Sequence, residues 1–139
     1  MADKQFRLRI LTPERVFYEG MADMAIFQGV EGELGVLPGH IPLTTLISSS
    51  SFHILTEDKN KTTVVAVHEG FVEILPDQVT LLTEAAEWPE EIDVERAERA
   101  KERAQKRLVN SQDGLEIKRA QLAMQRALTR LRVHTFKDV

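Results

Sequence analysis

The sequence predicts an antiparallel β-sandwich or flattened barrel followed by a two-helix hairpin, and three observations carry that reading. The first 86 residues break into short apolar runs separated by turn residues, the texture of an all-β unit. From Val94 onward the apolar spacing lengthens to that of an amphipathic helix. Charge divides at the same place: residues 1–86 hold 12 acidic and 6 basic side chains, whereas residues 87–139 hold 10 and 12. Opposite balances on different textures predict two units, 1–86 and 87–139.

Taken in order, Phe6, Leu8 and Ile10 alternate with Gln5, Arg7 and Arg9, the period of a half-buried strand. Further strands are expected over 24–28, 43–47, 51–56, 62–68, 71–75 and 79–83. The run Thr62 to Val67 is β-branched and mostly apolar, as suits a central strand. Turn signals fall at Glu19-Gly20, Glu31-Gly32, Pro38-Gly39, Asp58-Lys59-Asn60 and Pro76-Asp77.

After Trp88-Pro89, Asp93 is placed to cap a helix, with Glu90, Glu91, Glu95 and Glu98 crowding its start. Its buried stripe is Val94, Ala97, Ala100 or Lys101, Ala104 and Leu108. Residues 110–114 form a turn, and a second helix runs from about Leu115 to Val133. Ile117, Ala120, Ala123 or Met124, Ala127, Leu128 and Leu131 make its stripe. A seam so rich in alanine lets two backbones approach closely but buries little area. At about 25 cal/mol per Å² it holds far less firmly than a leucine seam. The hairpin therefore reads as a detachable module or, more plainly, as a short well-made antiparallel pair.

Composition removes several function classes. With 42% apolar and 29% charged residues, the chain has a globular balance, and no apolar run reaches the roughly 18 to 20 residues of a membrane span. Residues 1–5 carry neither a signal core nor a basic presequence. Cysteine is absent, which excludes disulfides and thiol chemistry. The four histidines, His40, His53, His68 and His134, lack zinc-ligand spacing. Neither a phosphate-binding loop nor a nucleophile elbow occurs. Glu31 and Glu33 flank Gly32 as a solvated pair. A His68–Glu69 relay is disfavoured because adjacent strand residues face opposite sides. A net charge of −4 also speaks against general nucleic-acid binding. No independent enzyme activity is expected.

Three stretches go further. They are Glu31-Gly32-Glu33-Leu34-Gly35-Val36-Leu37-Pro38-Gly39-His40-Ile41-Pro42-Leu43; His68-Glu69-Gly70-Phe71-Val72-Glu73-Ile74 with Val79-Thr80-Leu81-Leu82; and Ile92-Asp93-Val94-Glu95-Arg96-Ala97 with the Ala/Arg hairpin ending in Leu131-Arg132-Val133. In this order, from about Phe6 to Val133, they closely resemble the epsilon subunits of bacterial F-type ATP synthases. The resemblance implies a sandwich of two five-stranded sheets, then the hairpin, in a non-catalytic stalk subunit. It implies partners as well: the gamma subunit, the c-ring, and the alpha and beta catalytic subunits when the hairpin extends. The location implied is peripheral, on the cytoplasmic face of a bacterial cell membrane.

Residue by residue, the resemblance places Glu33 and His40 in a Gly-rich loop contacting the c-ring and gamma. Lys118, Arg119, Arg126, Arg130 and Arg132 would meet an acidic segment of the catalytic subunits and inhibit ATP hydrolysis. The Ile-Asp-x-x-Arg-Ala signature marks ATP binding in some members, and Glu87, Ile92, Asp93, Arg96, Ala97, Arg103, Arg126 and Arg130 fall on positions associated with that site. Arg96 and Arg103 share a helix face, as do Arg126 and Arg130, so a closed hairpin gathers four guanidiniums that can fork onto phosphate oxygens. ATP is the expected regulatory ligand, and no metal is required. The competing readings are a purely structural coupling subunit without nucleotide binding, or an unrelated β-sandwich adaptor.

Overall fold

A computed structural model describes residues 5–57 and 60–137. The Asp58-Lys59 part of the predicted turn lies outside them, as do the outermost residues of both predicted units. Eight strands come first: β1 (Phe6–Leu11), β2 (Val16–Ala22), β3 (Met24–Gly29), β4 (Gly32–Val36), β5 (Leu43–Ile47), β6 (Ser50–Thr56), β7 (Lys61–Ile74) and β8 (Gln78–Glu87). A 3-10 turn at Pro89–Glu91 leads to α1 (Val94–Asn110) and α2 (Gly114–His134).

The strands form one hydrogen-bonded network in the order β2-β1-β8-β7-β5-β3-β4, with β6 joining β3 and β7. Every pair is antiparallel except β1 with β8, which is parallel. Eight strands, rather than ten, serve the two expected sheets because β7 and β8 are each shared. The first half of β7 pairs with β6 and its second half with β5, while β8 follows both halves.

Two predicted strands, 62–68 and 71–75, are thus one, and the sequence reading omits β2 and β4. Glu19-Gly20 lies inside β2 rather than in a turn. The Gly32–Val36 segment, expected as loop, pairs with β3 along its length, leaving only a tight turn at Val30-Glu31 before Gly32, whose φ is 138°. Glycine content masks strand character when the neighbouring strand supplies the hydrogen bonds.

Alternate side chains of the strands meet in one apolar core that includes Phe6, Leu8, Ile10, Phe27, Phe52, Val65, Val67, Ile74 and Leu81. Phe27 stacks on Phe52 at 5.2 Å, and Phe17 on Trp88 at 4.4 Å, which fastens the start of the helical segment to the sandwich. Along β7 the core-facing positions are Val65 and Val67, then Val72 and Ile74. The alternation slips by one between them. It slips at the same level in β8, between Leu81 and Ala86, and between Ile47 of β5 and Phe52 of β6.

This crease is where Gly70 is required. A Cβ there would lie 2.0 Å from the Leu82 carbonyl oxygen. No pair joins Glu69 to Glu84 across the crease; instead, the Thr83 hydroxyl bonds to both the N–H and the carbonyl of His68. A side chain patches the gap in the ladder.

Asp93 caps α1 by accepting from the Arg96 N–H at 3.1 Å, and Asp113 caps α2 through the Leu115 N–H at 2.9 Å. Ala97 and Ala104 of α1 and Ala120 and Ala127 of α2 are buried and form the expected small-residue seam. Leu128, assigned to that seam from its spacing, is instead 47% exposed. The neighbouring Thr129 is the buried residue, because α2 has a second face that sits on the sandwich. There Val133 closes a small cluster with Val64, Ala66 and Ile92, so β7 is buried on both sides at 64–68.

Candidate functional site

The crease and the inner face of α2 meet in a chain of polar side chains. Thr129 and Ser49 are hydrogen-bonded through their hydroxyls at 2.9 Å, and Ser49 Oγ lies 2.9 Å from His68 Nδ1. The other ring nitrogen, Nε2, is 3.0 Å from Glu87 Oε1, to which Arg130 Nε donates at 2.7 Å. Ser49, His68, Thr83 and Thr129 are all buried, yet each has partners, as buried polar groups require. Burial works to raise the Glu87 carboxyl. The hydrogen bonds from His68 and Arg130 outweigh it and hold the group below the ordinary carboxylate value. His68 thus pairs with Glu87 across the sheet, a contact that residue spacing within one strand cannot reveal.

A cavity of about 300 Å³ opens beside this chain, at the lower end of the usual range for small-molecule sites. Glu87, Glu91, Asp93, Arg96, Ala97, Ala100, Arg103 and Arg130 line it. Six of the eight residues expected at a nucleotide site are therefore together. The two absent from the wall have separate reasons. Ile92 is buried against Val64, Ala66 and Val133. Arg126 is turned away onto Glu69, with Nε donating to Oε2 at 3.2 Å and Nη2 lying 2.5 Å from Oε1. Three guanidiniums, rather than four, face the cavity.

The remaining basic residues of α2 divide. Arg126 and Arg130 are committed to Glu69 and Glu87. Lys118 and Arg119 are exposed, and Arg119 reaches only Glu116, at 3.8 Å. Arg132 lines a second cavity of about 290 Å³ beneath α2 with Glu33, Ser49 and His53. Burial first, then Arg132, keeps His53 below the ordinary imidazole value, with Glu33 opposing.

Glu33 and His40 are not brought together. Glu33 sits on β4, on the side facing α2, opposite Gln28 of β3. His40 lies in the β4–β5 loop, which is tied to the β7–β8 turn by the Gly39 N–H donating to the Pro76 carbonyl at 2.7 Å.

Two exposed apolar features escape the sequence reading. At the loop end carrying His40, Ile41 is 76% and Leu37 55% exposed. On the outer sheet face, Leu46 is paired with Phe71, Phe71 with Leu82 and Leu82 with Leu11, a continuous row across four strands. Leu46, Phe71 and Leu82 are all exposed. Rows of this kind on a soluble domain mark contact surfaces. Only the strand register shows that these residues, distant in sequence, stand side by side.

Known proteins supply the context for this geometry. The family model described as the beta-sandwich domain of the ATP synthase delta/epsilon chain matches residues 5–89, and its long alpha-helix domain matches residues 90–134. The chain belongs to the ATP synthase delta/epsilon family. An ATP synthase epsilon chain of Halalkalibacterium halodurans is 50% identical over 91% of this chain and 94% of its own length. One from Shouchella clausii is 44% identical over 94% and 96%. Among solved structures, a chain in the OSCP/F1/c-ring portion of the Euglena gracilis mitochondrial ATP synthase shares the fold. Its TM-score is 0.83 at 21% identity, covering 97% of this chain and 84% of that one.

Family membership ties the chain to ATP synthesis and to the ion transport that accompanies it. Among the described residues no helix is long and apolar enough to cross a membrane, and no group of three or more His, Asp or Glu side chains is placed to hold a metal ion.

Proposed function

We propose that this family member is a non-catalytic central-stalk subunit of a rotary, proton-translocating ATP synthase, peripheral on the cytoplasmic face of a bacterial membrane. Its sandwich couples the catalytic head to the c-ring. The row Leu46, Phe71 and Leu82 is the surface for gamma, and the loop end with His40, Leu37 and Ile41 is the surface for the ring. The hairpin is the regulatory part. Released from the sandwich, it presents Lys118, Arg119, Arg126, Arg130 and Arg132 to the catalytic subunits and blocks hydrolysis; docked, it leaves the motor free.

ATP stabilises the docked form. The observation that carries this reading is the cavity formed jointly by α1, α2 and the end of the sandwich, with Arg96, Arg103 and Arg130 in its wall. The donor set fits the ligand: guanidiniums fork onto phosphate oxygens, while Asp93 and the backbone beside Ile92 read the adenine amino edge. Because the wall spans both helices, a ligand there binds only the closed hairpin. It stabilises that form by RT ln(1 + [L]/Kd), about 2.7 kcal/mol at a hundredfold excess over Kd.

Calorimetric titration of ATP into the isolated chain tests the proposal. Saturable one-to-one binding is expected, weakened at least about tenfold by Arg103→Ala, which removes a charge-assisted fork from the wall. Absence of heat at millimolar ATP would leave a stalk subunit with no nucleotide switch.

A further inference from the structure

The cavity wall holds three carboxylates, Glu87, Glu91 and Asp93, against three guanidiniums, Arg96, Arg103 and Arg130. Formally it is neutral, so the pull of its guanidiniums on a phosphate chain is partly offset by the carboxylates beside them. Two of its carboxylates also have duties of their own: Glu91 is paired with Arg15 at 3.1 Å, and Asp93 caps α1. A further positive charge stands close by. α1 and α2 are joined by a three-residue connection and pack through Ala97, Ala104, Ala120 and Ala127. Arg126 sits on α2 directly beside the seam residue Ala127. It is one helical turn from Arg130, about 6 Å along the axis.

Arg126 nevertheless does not line the cavity. One edge of its guanidinium, Nε with Nη2, is taken by Glu69, which the crease in β7 presents toward α2 beside His68. The Arg126 side chain is 42% exposed and that of Glu69 27%, although Glu69 Oε1 itself is shielded from solvent. A partly exposed pair of this kind contributes to docking but is weak enough for a ligand phosphate to displace.

We infer that Glu69 sets the affinity of this cavity for phosphate-bearing ligands by withholding Arg126, which changes partner from the carboxylate to the ligand on binding. This rests on the nucleotide reading above and adds to it a residue of the sandwich that never touches the ligand. Glu69 acts as a positioning residue. Its charge makes the ligand compete for the fourth guanidinium, so the affinity is held below what the four arginines together can reach.

The experiment is calorimetric titration of ATP into the full chain with wild-type sequence, with Glu69→Gln and with Glu69→Gln/Arg126→Ala. Glutamine keeps the size and removes the charge. Expected is a three- to tenfold tightening in Glu69→Gln, about the worth of one freed charge-assisted contact, with the gain abolished in the double variant. A second readout needs no substitution: the Arg126 Nε–H resonance of the wild-type protein should shift when ATP is added.

If the wild type binds ATP while Glu69→Gln binds equally or more weakly and the Arg126 resonance stays put, the inference is overturned and the nucleotide site stands. If neither wild type nor Glu69→Gln binds at millimolar ATP, the nucleotide reading itself fails and takes the inference with it.

Discussion

Glu87 occupies the last position of β8, and three roles converge on its carboxylate. It receives Arg130 from α2, it receives the ring of His68 from β7, and it forms part of the cavity wall. Burial opposes its charge, and the two hydrogen-bond donors restore it, leaving the group below its ordinary value of 4.5. A depressed carboxyl stabilises the structure fully above that ordinary value and loses the contribution as pH falls through it toward the depressed one. Thermal stability should therefore fall on acidification below about pH 4.5. Glu87→Gln, which has no proton to take up, should be less stable at neutral pH and show a flatter acid limb. Melting curves between pH 3 and 7 for both proteins check this, and superimposable slopes would contradict the assignment. In the sequence Glu87 reads only as an acid before a tryptophan. Its two strongest partners lie 19 and 43 residues away.

At the scale of the element, α2 is the informative one. One face packs on α1 through alanines, and the other docks on the sandwich through Thr129, Val133 and the two arginines. Neither face carries the large apolar area that makes a helix a permanent part of a core. Hydrogen bonds and ion pairs do a larger share of the docking, and they are individually modest. Ser49 bridges two buried groups, so Ser49→Ala leaves both His68 and Thr129 short of a partner. The expected cost is about 1–3 kcal/mol, felt at the docking face. Hydrogen exchange should show faster amides along α2 and unchanged protection in the sandwich core; uniform acceleration throughout would mean that docking and core are one cooperative unit. The helix boundaries were legible from spacing and capping, because those signals are local. Which residue of the pair Leu128 and Thr129 is buried was not legible. A helix with two buried faces defeats a single-stripe reading.

For the whole molecule, the sandwich presents Leu46, Phe71 and Leu82 as an exposed apolar row on its outer face. Phe71→Glu places a charge in the middle of that row at a position already 41% exposed. The isolated protein should melt within about 0.5 kcal/mol of wild type, as surface changes usually do. Co-purification with the gamma subunit should be lost. Retention of the complex would move the contact surface elsewhere on the sandwich, the loop end at His40 being the next place to look.

The sequence by itself determined the order of the two units, the all-β character of the first, the hairpin in the second and the cap that starts its first helix. Each of these follows from interactions between residues close in the chain, which leave their period and their turn chemistry in the letters. Only the tertiary structure decided that β7 is one strand serving two partners, that β1 runs parallel to β8, and that β4 is a strand in spite of its glycines. It also decided that Arg126 faces Glu69 rather than the cavity. These depend on strand register and on the seating of α2. Both are fixed by burial summed over residues far apart in sequence, and a shift of one position would exchange every partner named here.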